Sequence, residues 1–515
     1  MQSPLARFSL ILLCLVPALV QAQHDDQRNA TQMVAVEDYA KVESILAKAG
    51  QDDPETHFVR MMMALKQDDT ETAISQAQAA LDAGLPFDRL VAGPRELLTK
   101  LWDTEAYKSW YAEQDAEQLQ LLHGPMVGAV TDSAASFWVR TAQPAKVQIR
   151  IGDQLSEPVS SSAETDMTAV VRMENLEAAT EYHYEVLVDG KVREAENTSF
   201  KTFPTAGQPA QFSVAFGGGA GFNPKWEYMW DTIRSFDPAA MLMLGDNVYI
   251  DQPEHLLCHY YCYYRRQARP EWQRFTASTA MYSIYDDHDF GDNDCIPGPE
   301  IDKPAWKRAV WNTFRQNWVN PSYGGDDEQP GCWYDFVIGD VHLIMLDGRY
   351  YRDLKGGSML GPVQKTWVKE RLQISKGTFK LLVSPVPWSP GIKPGSKDPW
   401  DGYPKEREEL FSFIEDNKIE GVFLVAADRH RTDLRTISRP DGYTLYEIES
   451  SKLTNRHTHK VVKTDGLIWG FNTNSFALMK FDTTQEDPQV TFEGVTIDGE
   501  VMHSYTLKRS QLQAP

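Results

Sequence analysis

Three apolar runs in this chain end abruptly in polar, metal-competent side chains. Met241-Leu242-Met243-Leu244 leads into Gly245-Asp246-Asn247-Val248-Tyr249. Tyr282-Ser283-Ile284-Tyr285 leads into Asp286-Asp287-His288-Asp289, and Val422-Phe423-Leu424-Val425 into Ala426-Ala427-Asp428-Arg429-His430. Short apolar runs of this kind read as strands buried on both faces. Such strands belong to α/β architectures, where ligands collect at the strand C-terminal ends. Hard oxygen donors at all of these ends, with histidine at two, suit one site for divalent or trivalent cations. The chemistry that follows is metal-assisted hydrolysis, with a phosphate ester as substrate.

The chain has 515 residues, enough for about two to four domains with ample core. Acidic residues (73) exceed basic ones (51), for a formal charge of −22. That balance argues against nucleic acid or an anionic membrane surface as the main partner. Phosphate esters stay compatible, because bound cations reverse the local field. Arg7 precedes an apolar stretch from Leu10 to Val20, too short to span a bilayer, and Val20-Gln21-Ala22 offers a cleavage site. Residues 1–22 are therefore predicted to be a signal peptide, with a periplasmic or extracellular destination and no stable membrane insertion. Cys258, Cys262, Cys295 and Cys332 follow it. An even count in an oxidising compartment predicts disulfides, with Cys295–Cys332 the favoured pair. A bond between Cys258 and Cys262, within one helix, is strained.

Residues 23–33 are polar and predicted to be disordered. Helical spacing then takes over: Tyr39, Val42, Leu46 and Ala49; Phe58, Met61 and Leu65; Ile74, Ala77 and Leu81. The region 23–119 loosely resembles tetratricopeptide-type repeats and offers a surface for a protein partner. Residues 120–205 alternate as strands and resemble a fibronectin- or immunoglobulin-like β-sandwich, with Leu176 and then Thr180-Glu181-Tyr182-His183-Tyr184-Glu185-Val186 resembling its tyrosine-corner strand and a turn at Asp189-Gly190. Residues 206–515 alternate strands with helices. A helix is predicted over 226–236, a hairpin turning at Gly339-Asp340, a helix over 364–372 and a strand over 379–383. No Gly-x-Ser-x-Gly or Walker motif supports a serine hydrolase or an NTPase.

Taken in order, the sandwich, Gly245-Asp246-x-x-Tyr249, Asp286-Asp287-His288-Asp289 with Asn293, Leu346-Asp347-Gly348-Arg349-Tyr350-Tyr351 and Asp428-Arg429-His430 resemble the alkaline phosphatase D family. That family belongs to the calcineurin-like metallophosphoesterases. The resemblance implies an α+β multidomain chain whose last part is a metallophosphoesterase α/β/β/α sandwich, hydrolysing small phosphate mono- or diesters. Asp246 would join two cations, one per oxygen, and Tyr249 would be a phenolate ligand to ferric iron. Asn293 would be a neutral oxygen ligand, and Asp287 would ligate directly or orient His288, which lies near the phosphoryl group. Asp428 and His430, two apart at a strand end, would form a paired ligand set. Arg349 and Arg429 are the candidates for gripping phosphate oxygens.

One departure stands out. The family carries a Cys ligand after its first strand; here that place holds Gly217-Gly218-Gly219. The glycines make either a tight turn or a close approach of backbone to an anion. Loss of a thiolate favours divalent ions such as Ca²⁺ or Mg²⁺, with Fe still open. His457-Thr458-His459 is a candidate compensating donor. The alternative reading is a non-catalytic binding or surface module on a degenerate phosphatase fold.

Overall fold

The structure is a computed structural model that describes residues 25–515, so the predicted signal peptide lies outside the described residues. Its centre is a pair of facing sheets. The parallel strands Gln211–Gly217, Ala240–Leu244 and Ala280–Ile284 form the middle of a nine-stranded sheet. Ser475–Asp482, Gln489–Thr496 and Val501–Lys508 extend it in antiparallel fashion. The second sheet has seven strands, with Val341–Met345, Phe379–Val383, Val422–Ala426 and Leu445–Ser450 parallel to one another. Phe423 packs edge-on against Phe492 with ring centroids 5.2 Å apart, joining the two inner faces.

Alternation along the second sheet explains its layering. Leu343, Leu381 and Phe423 belong to the inter-sheet core, whereas their neighbours Ile344, Leu382 and Leu424 pack under the helices Gly361–Ile374 and Pro404–Asp416. Successive strand side chains point to opposite faces, so apolar residues at every position require cover on both. At the strand ends the sheets meet: Gly218 and Ser451 form a parallel bridge, and Leu453 N–H donates to Gly218 O at 3.1 Å. The C-terminal ends of strands from both sheets thus open on one seam.

Residues 121–128 and their antiparallel partners Ala135–Thr141 and Thr168–Met173 continue the first sheet, joined to it at Gly128 opposite Met281. Glu177 N–H donates to Tyr182 Oη at 2.8 Å. Asp189 and Gly190 take φ of 50° and 76°, as a tight hairpin turn requires. Seven helices occupy Asp26 to Ala112. The first, Asp26–Ala35, corrects the expected disorder of residues 25–33. Asp25 caps it, Ala30 and Val34 are fully buried, and Arg28 reaches across the chain into the seam, so tertiary contacts order a segment whose composition alone would not. Among the described residues no helix is long and apolar enough to cross a membrane.

Candidate metal centre

The turns after the strands carry unusual backbone. Asp246, Tyr249, Asp428 and His430 all have positive φ, between 46° and 74°. Non-glycine residues in this region are strained and cluster at functional sites. The first turn is held by Asp289, whose carboxylate accepts from the N–H groups of Asn247 (2.8 Å) and Val248 (3.1 Å). Gly245 is required here: a Cβ on it would lie 2.3 Å from Asp286 Cβ. The second turn ends the extended strand at Ala426, so Asp428 and His430 are placed by a left-handed turn rather than by strand alternation.

Tyr249 Oη donates to Asp246 Oδ2 at 2.9 Å and lies 2.8 Å from His430 Nε2. His430 Nε2 is 3.7 Å from Asp246 Oδ2. Ligand atoms of Asp246, Asp287 and His288 lie within 4.8 Å of one another. Asp246 Oδ1, Asp428 Oδ2 and His430 Nδ1 are buried without a hydrogen-bond partner. Burial pushes the Asp246 carboxyl far above its ordinary range, and although His288 opposes this, Asp287, Asp286 and Asp289 add to it. A buried carboxylate with an orphaned oxygen is costly unless a cation neutralises it. The donor set therefore fits hard cations. Tyr249 is held as a phenol by burial and by Asp246.

His288 has a partner that the sequence did not announce. Its Nδ1 hydrogen-bonds Asp251, whose other oxygen takes Arg28 Nη1 from the N-terminal helix. Arg28 Nη1 also lies 3.3 Å from Tyr249 O, and Gln32 Nε2 donates to Ile250 O at 2.9 Å. Burial opposes a charged His288, but Asp251, Asp246 and Asp287 outweigh it and raise the ring's pKa well above its ordinary value. Nothing in the sequence around Arg28 signals this role. Asp251, two residues past Tyr249, is a nearer clue.

Arg349 is fully buried beneath the site. Its Nε bonds Asp286, its Nη1 bonds Asp398 Oδ1 at 2.7 Å, and its Nη2 lies 3.6 Å from Asp287 Oδ1. Arg352 and Lys393 also engage Asp398, at 2.6 and 3.1 Å. Burial alone would raise the Asp398 carboxyl, but Arg349, Arg352 and Lys393 hold it well below the usual range. The geometry places Arg349 as a brace for carboxylates, not at an open anion site as the sequence suggested. Arg429 is less committed: its nearest carboxylate contact is Asp428 Oδ2 at 3.6 Å, and its Nε has no hydrogen-bond partner. Asn293 sits exposed in the following loop, whereas its neighbour Asp294 donates its N–H to Asp287 at 2.6 Å.

The glycine run takes neither an anion nor a donor side chain. The N–H groups of Gly218, Gly219 and Ala220 bond the carbonyls of Ser450, Gly245 and Asp246. Its role is close packing, since a Cβ on Gly218 would lie 2.8 Å from Ala427 Cβ. The predicted disulfides are also corrected: Cys258, Cys262, Cys295 and Cys332 are all free thiols. They behave as apolar packing side chains, and burial pushes Cys262 and Cys295 up to about 12.

Comparison with known proteins gives a consistent picture. The model of a family described as PhoD-like phosphatase matches residues 214–513, and one described as Domain of unknown function (DUF7800) matches residues 118–206. Alkaline phosphatase D of Bacillus subtilis (strain 168) is 24% identical over 177 residues, covering 28% of this chain and 30% of that protein. The match thus spans under a third of that relative's length. A solved structure of PhoD superposes with a TM-score of 0.63 at 15% identity, covering 77% of this chain and 91% of that one. Purple acid phosphatase PPD1 from yellow lupin (Lupinus luteus) seeds gives a TM-score of 0.57 at 12% identity, covering 76% and 75%. At these identities the two structures speak for the fold alone.

Proposed function

Since the chain belongs to the PhoD-like phosphatase family, we propose that it is an exported, metal-dependent phosphoesterase acting on small phosphate mono- or diesters. The observation that carries this reading is the convergence of Asp246, Asp287 and His288 in one buried cluster, with Asp246 Oδ1 left unpartnered. In this reading Asp246, Asp287, Asp428 and His430 hold the cations, with Tyr249 beside them. When bound, such cations polarise phosphoryl oxygens and lower the pKa of water. With Nδ1 engaged by Asp251, His288 would offer its Nε2 side to substrate and give a hydrogen bond or a proton to a phosphoryl or leaving oxygen. Arg429, whose Nε has no hydrogen-bond partner, has capacity left for an anion. Asp289 and Arg349 fix the carboxylates that the cations need. Export rests on the leader reading of residues 1–22.

The test uses the purified full chain with a monoester and a diester of p-nitrophenol. Chelation should abolish hydrolysis, and added divalent ions should restore it. Turnover indifferent to chelation would sink the metal assignment. No turnover under any metal regime would favour the non-catalytic binding module.

A further inference from the structure

The segment 452–466, between the strands Leu445–Ser450 and Leu467–Phe471, has neither helix nor strand, yet it is tightly fastened. Asn455 N–H donates to Gly219 O at 3.1 Å, and Asn474 Nδ2 donates to Leu453 O at 2.9 Å and Asn455 O at 3.1 Å. Arg435 holds its far end through Val462 O at 2.8 Å and Thr464 Oγ1 at 2.7 Å. Along it Arg456, Thr458 and Lys460 are exposed while His457 and His459 are half-buried. This period of two turns both imidazoles to the same side, toward His430. Ring centroids lie 5.2 Å (His430–His457), 5.5 Å (His430–His459) and 4.5 Å (His457–His459) apart. One nitrogen from each ring lies within 4.8 Å of the others, and His430 Nδ1 is buried without a hydrogen-bond partner.

The glycine run explains why this segment can come so close. A Cβ on Gly217 would lie 2.8 Å from the Leu453 side chain, one on Gly219 would lie 2.8 Å from Lys452 N, and one on Gly221 would lie 3.2 Å from Asn455 Cγ. Side chains on those glycines would push the segment off the seam, and His457 and His459 with it. The missing side-chain donor and the added imidazoles are two sides of one packing arrangement.

We propose that His430, His457 and His459 bind a borderline divalent transition ion of the Zn²⁺ class, at the edge of the carboxylate-lined centre. Three imidazoles suit such ions better than they suit Ca²⁺ or Mg²⁺, which prefer oxygen. The planes of His457 and His459 stand at 86°, whereas those of His430 and His459 are 26° apart.

The test is metal binding by the full chain, stripped by chelation, then equilibrated with Zn²⁺ or Co²⁺ and freed of excess. The double variant His457→Ala/His459→Ala should hold one Zn²⁺ fewer than the parent and lose the visible absorption of low-coordinate Co²⁺. Asp246→Asn should keep that absorption. Equal Zn²⁺ content and an unchanged Co²⁺ spectrum in the double variant would overturn the proposal. On the unaltered protein, zinc-edge X-ray absorption should show several imidazoles around one ion; a shell of oxygen with a lone imidazole would overturn it too. Both readouts are independent of hydrolysis, so an inactive protein that binds the ion would reject the phosphoesterase reading alone.

Discussion

The two sheets bring unlike chemistry to their common seam. The first contributes Asp246, Asp286, Asp287 and Asp289 on short turns pinned by hydrogen bonds. The second contributes Asp428 and His430 from one turn, and His457 and His459 from a fifteen-residue irregular segment, 452–466. Hard donors thus come mostly from the first sheet, and imidazoles mostly from the second, which depends on its neighbour's glycines. The difference shows how one fold can keep an oxygen-lined core while its outer ligand set varies. A turn ligand is fixed by its own backbone; a loop ligand is fixed by whatever lets the loop approach.

The strongest way to break the comparison is Asp246→Asn. Asp246 is within reach of both halves, through Asp287 and His288 on one side and through His430 on the other. Turnover should fall by roughly 10³-fold, the scale of losing a central electrostatic group in a water-poor site. Metal held by the carboxylates should go with it, while circular dichroism stays unchanged. Full metal content with normal turnover would remove Asp246 from the centre.

Arg349→Met sharpens a distinction inside the oxygen side. Asp286 Oδ1 and Asp398 Oδ1 both bond Arg349, whereas Asp246 and Asp428 hydrogen-bond no arginine; Asp286 Oδ2, Asp246 Oδ1 and Asp428 Oδ2 are alike in having no hydrogen-bond partner. Removing Arg349 leaves buried carboxylates uncompensated, for a loss of about 3–5 kcal/mol. Denaturant titration of the metal-free protein should show it. An unchanged midpoint would mean that Arg349 is not a brace and would reopen its role toward phosphate.

Arg28→Ala tests how far the oxygen side leans on the N-terminal helices. Arg28 holds Asp251, and Asp251 holds His288. Losing an outer partner of this kind typically lowers activity about 10–100-fold. The expected signature is a fall in kcat with little change in KM, and partial recovery with Arg28→Lys. A pure change in stability, with kcat intact, would reduce the helix to packing.

Much of this was legible in the sequence. The strand 379–383 has the bounds that its apolar run predicted, and the hairpin turns at Gly339 and Asp340 between Tyr334–Ile338 and Val341–Met345. Asp246, Asp287, His288 and His430 stood out because each follows a buried strand. Arg28 did not, because it lies 223 residues from Asp251 and its helix is ordered by that contact. Asp398 sits in an irregular stretch where only the converging Arg349, Arg352 and Lys393 give it meaning. Arg349 looked like an anion grip because a sequence shows an arginine's charge but not which carboxylates already hold it.

The smallest expected effect concerns sulfur, which meets the seam where Cys262 Sγ donates to Tyr249 O at 3.7 Å. The proposed export to an oxidising compartment and an even thiol count would argue for bridges, yet the structure keeps Cys258, Cys262, Cys295 and Cys332 separate. Burial explains how they would survive. Exchange and oxidation proceed through the thiolate. Burial raises Cys262 and Cys295 to about 12 and lifts Cys258 and Cys332 well above the ordinary thiol range, so very little thiolate exists near neutrality. Native protein should therefore react slowly with a thiol reagent, and mild oxidants should leave turnover nearly unchanged. After denaturation without reductant, Cys258, Cys262, Cys295 and Cys332 should all titrate. Peptide mapping that finds any two of them already joined would show that oxidation precedes burial during folding, and that the seam is assembled around a bridge rather than around packed thiols.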